Sequence, residues 1–421
     1  MLSLVIMISM DWQRRVYHGE RFGFAAAALA VAIFAFISCT SDAVATPLLA
    51  LKESANCAGC HNPGRSQRPV LQRRCTLDCQ GCHVDPSGGG PRNQWGYYYE
   101  NDQLAAVNFF KPIDPLADQS RFDLHYDGRV MQRTADGETR TFPMSSEASA
   151  RVRPFVNYVH LVYQAQFLGR IDDAKLRADA DDPRRLQQKY AVMIDQLPMN
   201  LYVRAYRGAP MYGLRRPNHA LWIRERVGLD QYALTDAVEA GGTPNVPFLR
   251  ASLMRGDPGA PAEDQQRGTS FHGGFRGVTL GWHLNGSTWD TKSDRARIKM
   301  RALGVGARPW KFVVMGERNW REVEEFEVSS EVAASYERAG TGLHPSSQID
   351  EWTVAFTGVP GVNFGAVQEE LHDASRDSLR RSAFVDLHPV PNVALELWRR
   401  FESGTREAAD TLGVLHVYAD W

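Results

Sequence analysis

The sequence predicts an all-β fold: a closed transmembrane β-barrel of about 14–16 strands behind a small cysteine-bearing segment. Three observations carry that expectation. Beyond about residue 121, apolar and polar side chains alternate with period two in runs near ten residues long. Turn signals such as GARP (306–309), RGDPGAP (255–261) and HPVPN (388–392) separate the runs. No heptad or long amphipathic helix competes; LHDASRDSLRRS (371–382) has the composition for one or two helical turns at most.

Composition sets the outer bounds. At 421 residues the chain exceeds one average domain, although a large barrel can absorb about 300 residues alone. Net charge is -1, so no global basic field points to a nucleic-acid partner. Past the N-terminus there is no apolar run long enough for a membrane helix, which excludes a multi-helix membrane protein.

At the N-terminus, Arg14, Arg15 and Arg21 precede the apolar run FGFAAAALAVAIFAFI (22–37), and AVAT (43–46) offers a small-residue cleavage site after Ala45. This reads as a secretory signal peptide over residues 1–45. A single anchoring helix is the alternative, and Cys39 in FISCT matches a lipoprotein pattern poorly. Either way the chain leaves the cytoplasm.

Residues 46–120 hold the chemistry. CAGCH (Cys57, Cys60, His61) and CQGCH (Cys79, Cys82, His83) are two Cys-x-x-Cys pairs, each followed at once by histidine. A zinc ribbon needs four converging thiolates and gives no reason for those histidines. Thioredoxin-type exchange would need a βαβ setting that is missing. Covalent haem attachment requires both features: two thiols bond the porphyrin edge and the adjacent histidine ligates the iron. The expected cofactors are therefore two haem c, with Cys57, Cys60, Cys79 and Cys82 as attachment points and His61 and His83 as proximal ligands. Cys75 stays unassigned. Gly88, Gly89 and Gly90 permit close backbone approach to a flat macrocycle, and Trp95, Tyr97, Tyr98 and Tyr99 either stack on it or pack a small core.

Electron-transfer haems usually take a second axial ligand, His or Met. Between Thr46 and Leu124 the only histidines are His61 and His83, and there is no methionine. The irons are then five-coordinate, use weaker ligands, or take ligands from the later chain. The last option places the haem segment inside or against the region beyond the linker at 101–120.

That region alternates. YVHLVYQAQFLGR (158–170) sets Val159, Leu161, Tyr163, Ala165 and Phe167 on one face and His160, Gln164 and Gln166 on the other. NLYVRAYRG (200–208) alternates too, and RGVTLGWHLNG (276–286) reads as a strand with Val278, Leu280, Trp282 and Leu284 together. LGVLHVYADW closes the chain with Leu415, Val417, Ala419 and Trp421 on one face, which resembles the last strand of bacterial outer-membrane barrels. A soluble β-sandwich or propeller explains the alternation, but not that last strand or the absence of a repeat. About 300 residues at roughly 19 per strand and connection give the strand number, and the barrel region is 121–421. On this phase His160, His283 and His416 face the lumen. His125, His160 and His219 are the candidate distal axial ligands, with Met131 and Met144 as sulfur alternatives.

An exported chain with N-terminal Cys-x-x-Cys-His motifs and a C-terminal barrel resembles the fused outer-membrane cytochrome–porins of iron-oxidising and other electron-exporting bacteria. The run after His83 is similar to haem-bearing segments that precede such barrels, matching at Pro86, Gly88 to Gly90, Arg92, Asn93, Gly96 and Tyr99, with Asp85 where Asn is common. YRGAPMYGLRRPNHALWIRERVGLD (206–230) resembles a loop-and-strand signature of those barrels. The best-known fusions carry one haem and this chain has two motifs, so their substrate does not transfer. The resemblance implies an outer-membrane electron conduit, an electron-transfer protein rather than a classical enzyme, with its haem segment in the barrel lumen. Implied partners are a periplasmic cytochrome or other carrier, an extracellular donor or acceptor (Fe(II), a mineral or a cytochrome), and outer-membrane lipid. The alternatives are a periplasmic dihaem enzyme of peroxidase type with a β-domain, and a porin with a redox-sensitive haem plug.

Overall fold

A strand placed in lipid can satisfy its backbone only by pairing on both edges, so alternation becomes a stable span only if the strands close on one another. In the computed structural model they do. It describes residues 121–420 apart from some connecting stretches, the longest being 169–185 and 326–345, together with Pro91, Arg92, Gly96, Tyr99, Glu100 and Leu104–Val107. The expected signal peptide, both cysteine motifs, His219 and Trp421 lie outside the described residues.

Sixteen strands form the wall. They are β1 (Phe122–Ala135), β2 (Glu138–Val152), β3 (Val159–Leu168), β4 (Leu186–Leu197), β5 (Leu201–Gly208), β6 (Thr235–Gly242), β7 (Pro247–Gly256) and β8 (Arg267–Gly277). The ring continues with β9 (Trp282–Lys292), β10 (Ala296–Ala307), β11 (Phe312–Glu325), β12 (Ser347–Val359), β13 (Val362–Asp373), β14 (Asp377–Val390), β15 (Val393–Ser403) and β16 (Ala408–Asp420). Each strand pairs antiparallel with its sequence neighbours, and β1 pairs with β16 from His125↔Asp420 to Ala135↔Asp410, so the ring has no free edge. The expected strand number is met at its upper value. Among the described residues no helix is long and apolar enough to cross a membrane; α1 (Trp222–Glu225) is a short turn within the β5–β6 connection.

The connections differ at the two ends. At one end the hairpins are short: Pro360–Gly361 (Gly361 φ 72°) joins β12 to β13, and Pro391–Asn392 (Asn392 φ 76°) joins β14 to β15. Proline fixes the first turn position and a left-handed residue takes the second, as a type II turn requires. The other end carries the long connections at 169–185, 209–234 and 326–346, besides the tight Asp136–Gly137 hairpin. Short turns on one side and long loops on the other are the asymmetry of outer-membrane barrels.

The two faces are inverted relative to a soluble protein. Leu161, Val192, Ala205, Val238 and Leu253 follow one another in register across β3–β7, and the large members of this row are exposed on the outer wall. Near the short-turn end, Trp310, Phe312, Phe356 and Phe364 form a continuous aromatic girdle, with ring centroids 6.2, 5.3 and 5.1 Å apart in succession. Such a girdle marks a membrane–water interface. Charged and hydrogen-bonding side chains instead face inward and are buried.

Two local expectations are corrected. Residues 276–286 are not one strand: β8 ends at Gly277, β9 starts at Trp282, and Arg276 pairs with His283 across the resulting hairpin. Gly281 turns there with φ 57°, a conformation that costs glycine little. Within 371–382, Leu371–Asp373 and the segment from Asp377 are strand, not helix, because pairing with β12 and β15 outweighs local helical composition.

If the outer row faces hydrocarbon, Val192→Arg should cost about 2–4 kcal/mol of folding stability in lipid. Urea titration of the refolded protein in vesicles measures this, and a neutral effect would place Val192 outside the bilayer.

Candidate functional site

The lumen is the candidate site, and the alternation that builds the wall also lines it. Buried, inward-facing histidines come from β1 (His125), β3 (His160), β8 (His272), β9 (His283), β14 (His388) and β16 (His416). All six lie toward the short-turn end of their strands or, for His272, at mid-strand. The expected lumen phase of His160, His283 and His416 therefore agrees with the geometry, and His125 joins them. Sequence reasoning missed His272 and His388. The signal was present for His272, since SFHGGF sets Phe271 and Phe275 outward with His272 between them. For His388 the adjacent Pro389 suggested a turn, whereas β14 continues through it to Val390.

These imidazoles sit among paired charges. His416 Nε2 lies 2.8 Å from Asp127 and accepts from Arg129 Nε at 3.1 Å, so three side chains straddle the β1–β16 seam. His388 Nε2 is 3.0 Å from Asp386, and His272 Nδ1 is 2.8 Å from Ser287 Oγ. His160 is 3.9 Å from Asp195. On β5–β7, Glu239 is fully buried and accepts from Tyr202 Oη (2.6 Å), Arg204 Nε (3.0 Å) and Ser252 Oγ (2.9 Å). Beyond it, Arg276 lies over the Phe248 ring at 4.6 Å, and that ring packs 5.2 Å from His272. Met131 and Met144 are buried in an apolar cluster with Leu412 and Met300.

Two inserts cover this lining. The first is the stretch after the second cysteine motif. Arg92 is buried 5.8 Å above the Tyr418 ring, and Glu100 accepts the Asn392 backbone N–H at 3.1 Å. Burial pushes the Glu100 carboxyl above its usual range, against the pull of His388 and Arg92. Ala106 and Val107 donate to the carbonyls of His388 and Pro389, so part of the expected linker is pinned to the β14–β15 end. Any side chain at Gly361 would strike Ala106, which explains glycine at that turn.

The second insert is the β5–β6 connection. Gly213 N donates to Ser287 on β9 (2.9 Å), Leu214 N to Glu317 on β11, and Trp222 N to Glu369 on β13. Arg380 pairs with Glu369 and lies over the Trp222 ring at 4.5 Å. The connection thus crosses the lumen and buries Tyr212, Leu221, Trp222, Ile223, Val227 and Leu229. The sequence marked this region as a signature without revealing that it folds inward.

A different group, Asp350, Glu370 and His372, gathers ligand-type atoms on the outer wall near the loops. Asp350 is already occupied by Arg318 and Gln348, so the group reads as a surface ion network.

No family model and no curated protein matches the chain. Solved structures do. A loop L8 deletion mutant of OmpT, an outer membrane protein of Vibrio cholerae, aligns with TM-score 0.52 at 10% identity over 70% of this chain and 98% of that one. Outer-membrane expressed OmpT of Vibrio cholerae aligns with TM-score 0.51 at 10% identity, covering 72% and 99%. At such identity the likeness is one of fold. Together with the closed ring, the outward apolar row and the aromatic girdle, it makes the chain a porin-like barrel of the bacterial outer membrane.

Because Glu239 serves three buried donors, Glu239→Ala should cost about 3–5 kcal/mol. Arg140→Ala breaks only the exposed Arg140–Glu138 pair and should stay within about 0.5 kcal/mol. Heat-modified gel mobility and urea midpoints separate the two, and equal effects would contradict the burial argument.

Proposed function

We propose that the chain moves electrons across the bacterial outer membrane through two c-type haems held in the barrel lumen. The observation that carries this reading is the seat of Arg92. It is buried against the lumen wall at Tyr418, nine residues beyond His83. Nine residues reach at most about 30 Å, so the reading needs His83 to sit within that distance of the Arg92 seat. On this reading residues 1–45 are removed on export, 46–120 carry the haems, and 121–421 form the conduit wall.

The residues present fit the group. Cys57 and Cys60, and Cys79 and Cys82, would hold the haems through their paired thiols, and His61 and His83 would each offer an imidazole to the iron. Buried wall imidazoles, among them His125 and His160, would be the candidate second donors, and His219 is a further candidate outside the described residues. Bound haem supplies a one-electron ferric–ferrous couple. The chain's own part is mechanical and electrostatic. Thiols and histidines fix each ring, the inward charges set the local potential, and the β5–β6 connection limits water entry with Trp222 and its neighbours. The short-turn end would meet a periplasmic carrier, and the loop end an extracellular donor or acceptor such as Fe(II), a mineral or a cytochrome.

A second reading, a diffusion porin with a haem plug, draws on the porin-like barrel. The conduit reading expects little steady current in planar bilayers, and a large conductance that changes with dithionite favours the plug instead. The conduit reading also expects two covalent haems per chain in outer-membrane fractions, falling to one in a Cys79→Ala, Cys82→Ala double variant. Vesicles holding an enclosed oxidised dye should reduce it from an external donor with the wild type and lose most of that rate with the double variant. A wild-type chain without covalent haem, or with haem but no transmembrane reduction, overturns the proposal.

A further inference from the structure

We infer that Arg92, Tyr99, Glu100 and Leu104–Val107 form a proton-sensitive strap at the short-turn mouth, seated while Glu100 is protonated and loosened as it ionises. The inference uses only contacts between these residues and the wall, so it stands or falls apart from the conduit reading.

Contacts with separate wall elements seat the strap. Arg92 lies over the Tyr418 ring of β16 at 5.8 Å. Glu100 Oε1 accepts the backbone N–H of Asn392, in the β14–β15 turn, at 3.1 Å. Ala106 and Val107 donate to the carbonyls of His388 and Pro389 at 2.8 and 3.1 Å. The Ala105 N–H donates to the Glu100 carbonyl at 3.3 Å, so the carboxyl and the two anchoring amides are held as one unit. Tyr99 and Leu104 are buried, while Ala106 and Val107 are exposed, so the strap runs from the interior to the rim. The β12–β13 turn leaves it room, since a Cβ at Gly361 would strike Ala106.

Glu100 is the carboxyl that this seat encloses. It has no exposed surface, and its Oε2 is buried without a hydrogen-bond partner among the described residues. The groups facing it are Arg92 of the strap, Asp386 and His388 of β14, and the Tyr418 phenol of β16. His388 is already held by Asp386 at 3.0 Å, so that pair brings little net charge to bear. A carboxylate with one bare oxygen loses hydration here without full replacement, whereas the neutral acid loses much less. Burial accordingly lifts the Glu100 carboxyl above its ordinary range, against the pull of His388 and Arg92. A group whose pKa is raised in the seated state favours seating when protonated. That gain is complete below the ordinary carboxylate range and is lost as pH rises through the raised value, about tenfold per pH unit between the two.

The test is hydrogen–deuterium exchange on the full-length protein in detergent from about pH 5 to about pH 8. It is read as protection factors at Ala106, Val107 and Asn392, which cancels the intrinsic pH dependence of exchange. The wild type should lose protection several-fold at all three amides as pH rises, while amides paired within β12–β13 stay constant. Glu100→Gln keeps an acceptor for the Asn392 N–H but cannot ionise, so its protection should stay high and flat with pH. Gly361→Ala crowds Ala106 without touching Glu100 and should lower protection at Ala106 and Val107 at every pH, with heat-modifiable mobility showing an intact barrel. Wild-type protection that is flat with pH overturns the inference. So does a pH dependence that survives in Glu100→Gln, which would assign the effect to His388 or another group, and so does full protection in Gly361→Ala.

Discussion

Closure of β1 on β16 is the constraint on which the rest depends. In hydrocarbon an unpaired strand edge has no water to turn to, so an open sheet of these strands with two free edges would not be a weaker version of this fold but a different, insoluble one. The seam runs the length of both strands, from His125↔Asp420 to Ala135↔Asp410. Charge reinforces it on the inner side. Asp127 and Arg129 of β1 enclose His416 of β16, and Asp410 of β16 takes Arg133 of β1 at 3.0 Å and Arg400 of β15 at 2.7 Å. These groups belong on the inside because the outside is lipid, where each would be expensive.

Closure inverts the usual relation between core and surface. The outer wall carries exposed Val, Leu and aromatic side chains, and the buried region is a charged, histidine-bearing lumen. Buried charge is tolerable when each group has a partner, and the lining is organised accordingly: Glu239 with Tyr202, Arg204 and Ser252, Glu369 with Arg380 and the Trp222 backbone, Asp123 with Arg151 at 2.7 Å. Arg92, Tyr99, Glu100 and Leu104 on one side, and Tyr212, Leu221–Ile223, Val227 and Leu229 of the β5–β6 connection on the other, take up part of the interior. Such filling narrows the lumen, and in the proposed conduit it would also hold groups in fixed positions with little water.

Much of the wall was legible because lipid demands hydrophobic contrast. In β3 the contrast between Leu161 or Tyr163 and His160 or Gln164 is steep, and the same holds for β9 and β16. It fades where the outward residues are small: β2 sets Ser146, Ala148 and Ala150 outward against Ser145, Glu147 and Ser149, and β6 sets Val238 and Ala240 against Ala237 and Glu239. Those strands exist through pairing with stronger neighbours, which no local pattern records. The lumen histidines were legible wherever the phase was, as at His160, His283 and His416. The difference among them was not, since it depends on cross-strand partners such as Asp127 beside His416. The inward path of the β5–β6 connection is likewise tertiary, fixed by acceptors on β9, β11 and β13.

The proposed conduit requires its redox centres to lie within the ring of strands. Anomalous diffraction at the iron edge from crystals of the purified, full-length protein tests that placement most directly. Two iron positions are expected inside the β1–β16 wall, toward the short-turn end and at the level of the inward histidines. Iron positions outside the ring, on the periplasmic side of the turns, would contradict it.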